Sequence, residues 1–289
     1  MQLEFVEANG FETAVYEWGN PSGPAVLCVH GLGGQGQSFR KIADHLASEF
    51  RIVALDLIGR GQSVWANSPQ TDYNFETYSQ IITDILAHKR IDTFHWIGIS
   101  MGGALGIHLG SGRLQARIKS LTLNDIGPSL ENEVAMAIQT AVSTPTRVVR
   151  FSDLVAAYES MFATFGMKPS DGRSWQDMAL DGARRTDDGG WTLHFDPRVA
   201  DQFTHARADY EQVESFRKLD FPMQVFWGTE STVLTREGLE AMRQAQPELA
   251  IIEVENVGHA PLLDRDEDLD AILYFLRHAE HIAQTGGKA

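Results

Sequence analysis

The sequence predicts an α/β fold: a mostly parallel central sheet flanked by helices, with an inserted helical cap. Three observations predict it. Six short runs (residues 25–29, 51–55, 94–99, 119–123, 223–227 and 250–254) are rich in β-branched and aromatic residues and bounded by Gly, Pro or polar residues, as strands buried on both faces are. Segments of helical period lie between them, which implies right-handed crossovers and a sheet covered on both sides. The alternation then breaks over residues 128–209, far longer than an ordinary connection of a handful of residues.

Taken in order, residues 3–7 and 12–17 flank Asn9-Gly10 and read as a hairpin. After the run 25–29, residues 39–48 carry Phe39, Ile42, Ala43, Leu46 and Ala47 on one helical stripe. Residues 73–89 repeat the pattern with Tyr78, Ile81, Ile82, Ile85 and Leu86. Within 128–209 helical patterning recurs at 134–142, 152–165 and 197–203, broken by the turn Asp187-Asp188-Gly189-Gly190 and holding no obvious buried strand. Helices at 238–246 and 269–278 follow the fifth and sixth runs. The expected core is therefore discontinuous, residues 1–127 and 210–289, with the cap at 128–209 between.

Composition narrows the function. The 289 residues hold 24 Lys+Arg against 39 Asp+Glu, a net charge of −15. An acidic surface repels phosphate, so neither nucleic acid nor an anionic membrane is an expected partner. No apolar run approaches the roughly 20 residues that span a bilayer, and the N-terminus shows no signal-peptide pattern. The expectation is a cytoplasmic protein whose partner is a small-molecule substrate. The single cysteine, Cys28, lies in a buried run and reads as packing. No Cys/His cluster has zinc spacing, so neither metal nor cofactor is expected.

The chemistry is carried by Gly98-Ile99-Ser100-Met101-Gly102, at the end of the run 94–99 and followed by the small-residue helix start Gly103-Ala104-Leu105-Gly106. Strand, tight turn and helix is the context in which G-x-S-x-G projects a serine above a sheet. A serine hydroxyl needs a base. His259, in Gly258-His259-Ala260-Pro261, sits on a loop between the last strand and the last helix, at the same sheet edge. The glycines of His30-Gly31-Leu32-Gly33-Gly34 free backbone N–H groups, so the expected oxyanion donors are Leu32 N–H and Met101 N–H. A phosphate loop is the alternative there, disfavoured by the absence of G-K-[ST] and of a full G-x-G-x-x-G pattern. Specificity falls to the aromatic-rich cap. Most of its apolar residues should form the cap's own core, with Met161 and Phe162 among those expected to reach the substrate, together with Phe39 and Trp65 on loops after core strands. Arg147 and Arg150 are expected at the surface.

His30-Gly31, Asp56-Leu57-Ile58-Gly59-Arg60-Gly61-Gln62-Ser63, Gly98 to Gly103 and Gly258-His259-Ala260-Pro261 together resemble the α/β-hydrolase fold superfamily over essentially the whole chain. Within it the chain is similar to small-molecule serine esterases and to meta-cleavage-product hydrolases. The resemblance implies a Ser…acid…His order, and it implies that Asp56 and Arg60 hold the loop that shapes the sheet edge. It also exposes a departure. The family's commonest acid, an Asp three or four residues past the Gly after run 223–227, is replaced by Ser231 and Thr232. Neither stabilises an imidazolium as a carboxylate does. Certain members place the acid one strand earlier, where this chain has Asp125; Glu230 is the alternative acid, slightly early but longer.

The resulting expectation is a cofactor-independent serine hydrolase that cleaves a small, largely apolar ester through an acyl-enzyme. The alternatives are a carbon–carbon bond hydrolase of the meta-cleavage type, an acyltransferase, a cofactor-free oxygenase and a non-catalytic receptor, because one fold hosts many chemistries.

Overall fold

The computed structural model describes residues 1–170 and 172–285. In chain order the elements are β1 (Gln2–Ala8), β2 (Phe11–Gly19), β3 (Ala25–Val29), α1 (Arg40–Leu46), β4 (Arg51–Leu55), α2 (Pro69–Asp72), α3 (Phe75–His88), β5 (Phe94–Ile99), α4 (Met101–Gly110) and β6 (Ile118–Asn124). An excursion then carries α5 (Asn132–Ser143), β7 (Arg147–Val148), α6 (Phe151–Ala163), α7 (Trp175–Asp181), β8 (Ala183–Arg185), β9 (Trp191–Leu193) and α8 (Gln202–His205). The chain returns through α9 (Val213–Arg217), β10 (Met223–Gly228), α10 (Arg236–Ala245), β11 (Ala250–Val254) and α11 (Asp266–Thr285).

Eight strands form one sheet in the order β1-β2-β4-β3-β5-β6-β10-β11. The β1/β2 and β2/β4 pairs are antiparallel and the rest parallel. Side chains of β3 show the two-sided burial that makes its sequence uniformly apolar. Leu27 and Val29 point into a core shared with α3, α4 and α10, while Val26 and Cys28 point into one shared with α1 and α11. On α11, Leu269, Ile272 and Leu276 form the buried stripe; truncating Ile272 to alanine would cost about 2–5 kcal/mol.

The excursion is pinched at its base. Ser129 bridges Glu211, and Gln212 N–H donates to the Pro128 carbonyl at 2.6 Å. Helices α5 and α6 fall where the periodicity predicts them, and the predicted 197–203 segment is a 3-10 turn leading into α8, but α7 (Trp175–Asp181) is a helix the sequence reading did not place. The sequence reading finds no strands there, yet β7, β9 and β8 pair into a small antiparallel sheet. Asp187 to Gly190 form the β8–β9 turn, closed by Thr186 N–H to the Gly190 carbonyl at 3.0 Å. Strands of two or three residues are too short to display a period of two.

Candidate active site

Ser100 occupies a sharp turn between β5 and α4, with φ 51° and ψ −118°. This is an unfavourable conformation for a residue with a Cβ, and the surroundings enforce it. A Cβ on Gly98 would lie 2.4 Å from the Gly102 carbonyl oxygen, and one on Gly102 would lie 2.0 Å from that of Val29. The G-x-S-x-G glycines are therefore there for close packing of strand on helix. Ser100 N–H extends the β5/β6 ladder by donating to the Asn124 carbonyl at 3.0 Å, and Trp96 Nε1–H holds the Gly102 carbonyl at 3.0 Å.

The serine hydroxyl lies 2.8 Å from His259 Nε2. The opposite ring nitrogen, Nδ1, lies 2.8 Å from Asp125 Oδ2, so Nδ1–H donates to the carboxylate and Nε2 is left to accept from Ser100. Asp125 is fully buried at the end of β6, with φ 55°. Its Oδ1 accepts from Gly228 N–H at 3.0 Å, and its Oδ2 also accepts from the Ser231 hydroxyl at 2.5 Å. The Ser231 oxygen accepts from Val233 and Leu234 N–H at 3.2 Å each, so its single proton is committed to Asp125. The residue at the family's usual acid position thus docks onto the carboxylate one strand away. Glu230 faces elsewhere: it is exposed and pairs with Lys168 at 2.6 Å.

The base is anchored on both sides. Asn124 Nδ2–H donates to the Pro261 carbonyl at 2.8 Å. From the excursion, the carbonyls of Phe165 and Gly166 accept from His259 and Gly258 N–H at 2.7 and 2.9 Å. Leu32 and Met101 flank the serine, and neither backbone N–H has an acceptor among the described residues.

A cavity of about 20 Å³, room for one water molecule, opens beside Ser100. Its floor is Leu32, Met101 and Ile126 from the sheet edge; Val233 comes from the loop after β10. Its roof is Leu130, Ile138, Phe203 and Tyr210. The four residues predicted to bind substrate are not among its walls. Phe39 is a correction: it is fully buried in the core on the α1/α11 face. The turn Gly36–Phe39 swings its ring there, with Gly36 packed directly against Tyr16. Trp65 is exposed under the Arg184 guanidinium, 5.4 Å from the ring centre. The Phe162 ring packs tilted against Tyr158, centroids 4.3 Å apart, and Met161 packs, half-buried, on the same helix α6. Arg147 and Arg150 pair at the surface with Asp188 and Asp153. Leu130, Val233 and Tyr210 carried no signal in the sequence beyond being apolar. Ser231 did, as the hydroxyl standing where an acid is common.

Two histidines beside this edge are held neutral. Burial, reinforced by the Arg60 charge, lowers His30 to about 3. Burial also lowers His194 to about 4. His30 Nε2 accepts from Leu57 N–H at 2.9 Å, and His194 Nδ1 accepts from Gly61 N–H at 3.1 Å. Among the described residues, no group of three His, Cys, Asp or Glu side chains is placed to hold a metal ion. No described helix is long and apolar enough to cross a membrane.

Comparison with known proteins agrees with this fold. The family model for the alpha/beta hydrolase fold matches residues 24–266. The chain is 32% identical over 256 residues to a 3-hydroxybutyrate-oligomer hydrolase of Cupriavidus necator, covering 86% of this chain and 87% of that one. It is 24% identical over 265 residues to Lipase 3 of a Moraxella species, covering 90% of this chain and 79% of that one. Among solved structures, an alpha/beta hydrolase from Novosphingobium aromaticivorans superposes with a TM-score of 0.82 at 25% identity, covering 96% of this chain and 98% of that one.

Proposed function

The chain belongs to the α/β-hydrolase fold family, and from that premise we propose that it is a cofactor-independent serine hydrolase cleaving short, largely apolar acyl esters through an acyl-enzyme on Ser100. The observation that carries this reading is the continuous relay from Ser100 Oγ through His259 to Asp125, each link 2.8 Å, beside two N–H groups that have no acceptor among the described residues.

In this reading Ser100 attacks the ester carbonyl as His259 Nε2 takes its proton. Asp125 orients the ring and stabilises the imidazolium. Leu32 and Met101 N–H bind the oxyanion of the tetrahedral intermediate. His259 then protonates the departing alcohol and activates the water that releases the acid.

The cavity's apolar walls support a hydrocarbon acyl group, and among the described residues none that lines it is a cation placed to meet the carboxylate that a ring-cleavage product would carry. Similarity to a 3-hydroxybutyrate-oligomer hydrolase makes short hydroxyacyl esters the class to test first. The test is turnover of p-nitrophenyl acetate, butyrate and octanoate and of a linear 3-hydroxybutyrate trimer, by the native protein and by Ser100→Ala. The variant is expected to lose about 10⁶ in kcat. A fluorophosphonate should label the native protein at Ser100 alone. Ester turnover surviving in Ser100→Ala would overturn the reading.

A further inference from the structure

We propose that Arg60 is a positioning residue of this site: its buried guanidinium clamps together the two residues that carry the oxyanion N–H groups and keeps a positive charge beneath the oxyanion. The proposal rests on the esterase reading above.

Arg60 is fully buried, yet among the described residues no carboxylate lies within ion-pair distance of it. The neighbouring acids are engaged elsewhere. Asp196 is held by Arg198 at 2.7 Å and by the Tyr73 hydroxyl at 2.8 Å. Asp56 accepts from Tyr16, Gly36 and Gln62, and Asp209 accepts from Phe75 N–H. A buried cation without a counter-charge is costly, and merely holding a loop requires none.

The guanidinium's bonds show what it holds. Nε–H donates to the Leu32 carbonyl at 2.8 Å, and Nη2 lies 3.6 Å from Met101 Sδ. Nη1 donates to the Ile58 carbonyl and the Tyr78 hydroxyl, each at 2.8 Å. The rings of Tyr73 and Tyr78 face the cation at 5.6 and 5.2 Å. One planar group therefore grips the backbone of one oxyanion residue and the side chain of the other. The flanking turn is built to admit it. Gly59 and Gly61 have φ of 81° and 54°, and a Cβ on Gly61 would strike the Asp56 carboxylate at 2.1 Å. With the neighbouring His30 and His194 neutral, Arg60 is the fixed positive charge of this cluster. In a dry site such a charge acts on a developing oxyanion far more strongly than it would in water.

The test compares Arg60→Met, Arg60→Lys and native protein on p-nitrophenyl butyrate, alongside Ser100→Ala. Arg60→Met is expected to lose about 10²-fold in kcat with KM little changed, the scale of losing an oxyanion donor. Arg60→Lys, which keeps the charge without the fork, should recover about tenfold of that loss. Affinity for an aryl trifluoromethyl ketone, which forms the tetrahedral adduct, should fall in step with kcat/KM, while the matching methyl ketone binds as before. A purely structural residue would lower Tm without that split. A folded Arg60→Met with native kcat, or equal loss of both ketones, overturns the proposal. If Arg60→Met does not fold, Arg60→Lys decides: native kcat and native ketone affinity overturn it. Should Ser100→Ala retain turnover, the esterase reading falls too; should it be inactive while the Arg60 variants behave as native, only the Arg60 proposal falls.

Discussion

The floor and the roof of the cavity are made in different ways. On the floor side, Ser100 and Asp125 sit at the ends of the parallel strands β5 and β6, and Leu32 and His259 on the loops beyond β3 and β11; neighbouring strands fix the first two backbones through Ser100 N–H to Asn124 and Asp125 N–H to Phe226 at 3.0 and 2.8 Å. The side chains of Ser100, Asp125 and His259 are locked again by hydrogen bonds. The roof consists of Leu130, Ile138 on α5, Phe203 on the single-turn helix α8, and Tyr210 beyond it, held chiefly by apolar packing such as the Phe203–Tyr210 ring pair at 5.1 Å. Directional bonds fix reacting atoms to fractions of an ångström, whereas apolar contacts depend mostly on volume. Chemistry should therefore be lost abruptly through the floor, and specificity should be tuned gradually through the roof.

The sharpest way to break that contrast is through the acid. Asp125→Asn should lower kcat by about 10⁴, and Glu230→Gln, which removes only a surface pair with Lys168, should leave it near native. Ser231 lies 2.5 Å from Asp125 Oδ2, close enough for an acid there to approach His259. Asp125→Asn combined with Ser231→Asp is therefore expected to regain activity over Asp125→Asn alone. Steady-state rates on p-nitrophenyl butyrate decide it; a crippled Glu230→Gln with an active Asp125→Asn would reverse the assignment.

The same division explains what the sequence could disclose. Buried strands, the glycine-locked elbow around Ser100 and the late histidine loop are local patterns with local causes. The acid was reducible to two residues because strand order places both Asp125 and Glu230 near one edge, and only side-chain direction separates them. The roof was illegible for a different reason. An apolar stripe on α6 looks the same whether it faces Ser100 or its neighbours; here Tyr158 packs on Phe162 and Trp175, leaving Ile138 and Phe203 to meet the cavity. Phe39 was misplaced because a single tight turn decides which side of the sheet its ring enters.

A roof substitution should sharpen the contrast. Ile138 is half-buried, so Ile138→Ala removes cavity wall at modest cost to folding. A methylene in an apolar pocket is worth roughly 10-fold or more in kcat/KM. Octanoate turnover is expected to rise about tenfold relative to butyrate, with fluorophosphonate labelling of Ser100 unchanged. An unaltered chain-length profile would mean that the roof does not touch the acyl group.

Acid pH should separate the two halves by a smaller and reversible effect. His30 fastens Leu57 within the core, and His194 fastens the excursion to Gly61, each through a ring nitrogen that must stay unprotonated to accept. Burial holds them at about 3 and about 4, below the ordinary 6.5 of an unfolded chain. The unfolded state therefore binds protons first, so the stability contribution is whole above about 6.5 and declines as pH falls. The loss is about 2 kcal/mol per histidine by pH 5. The two losses are about equal at pH 5, but His194 ties the excursion to the Gly61 turn whereas His30 lies within the core sheet, so the excursion should loosen while the core still stands. In hydrogen exchange at pH 5, Gly61 N–H should lose protection before Leu57 N–H. His194→Gln keeps an acceptor oxygen without a titrating group, so it should reduce the fall of unfolding free energy between pH 7 and 5 by about 2 kcal/mol, seen as a flatter dependence of Tm on pH. A variant whose Tm tracks pH as steeply as native would show that this hydrogen bond between the excursion and the Gly61 turn carries none of the acid sensitivity.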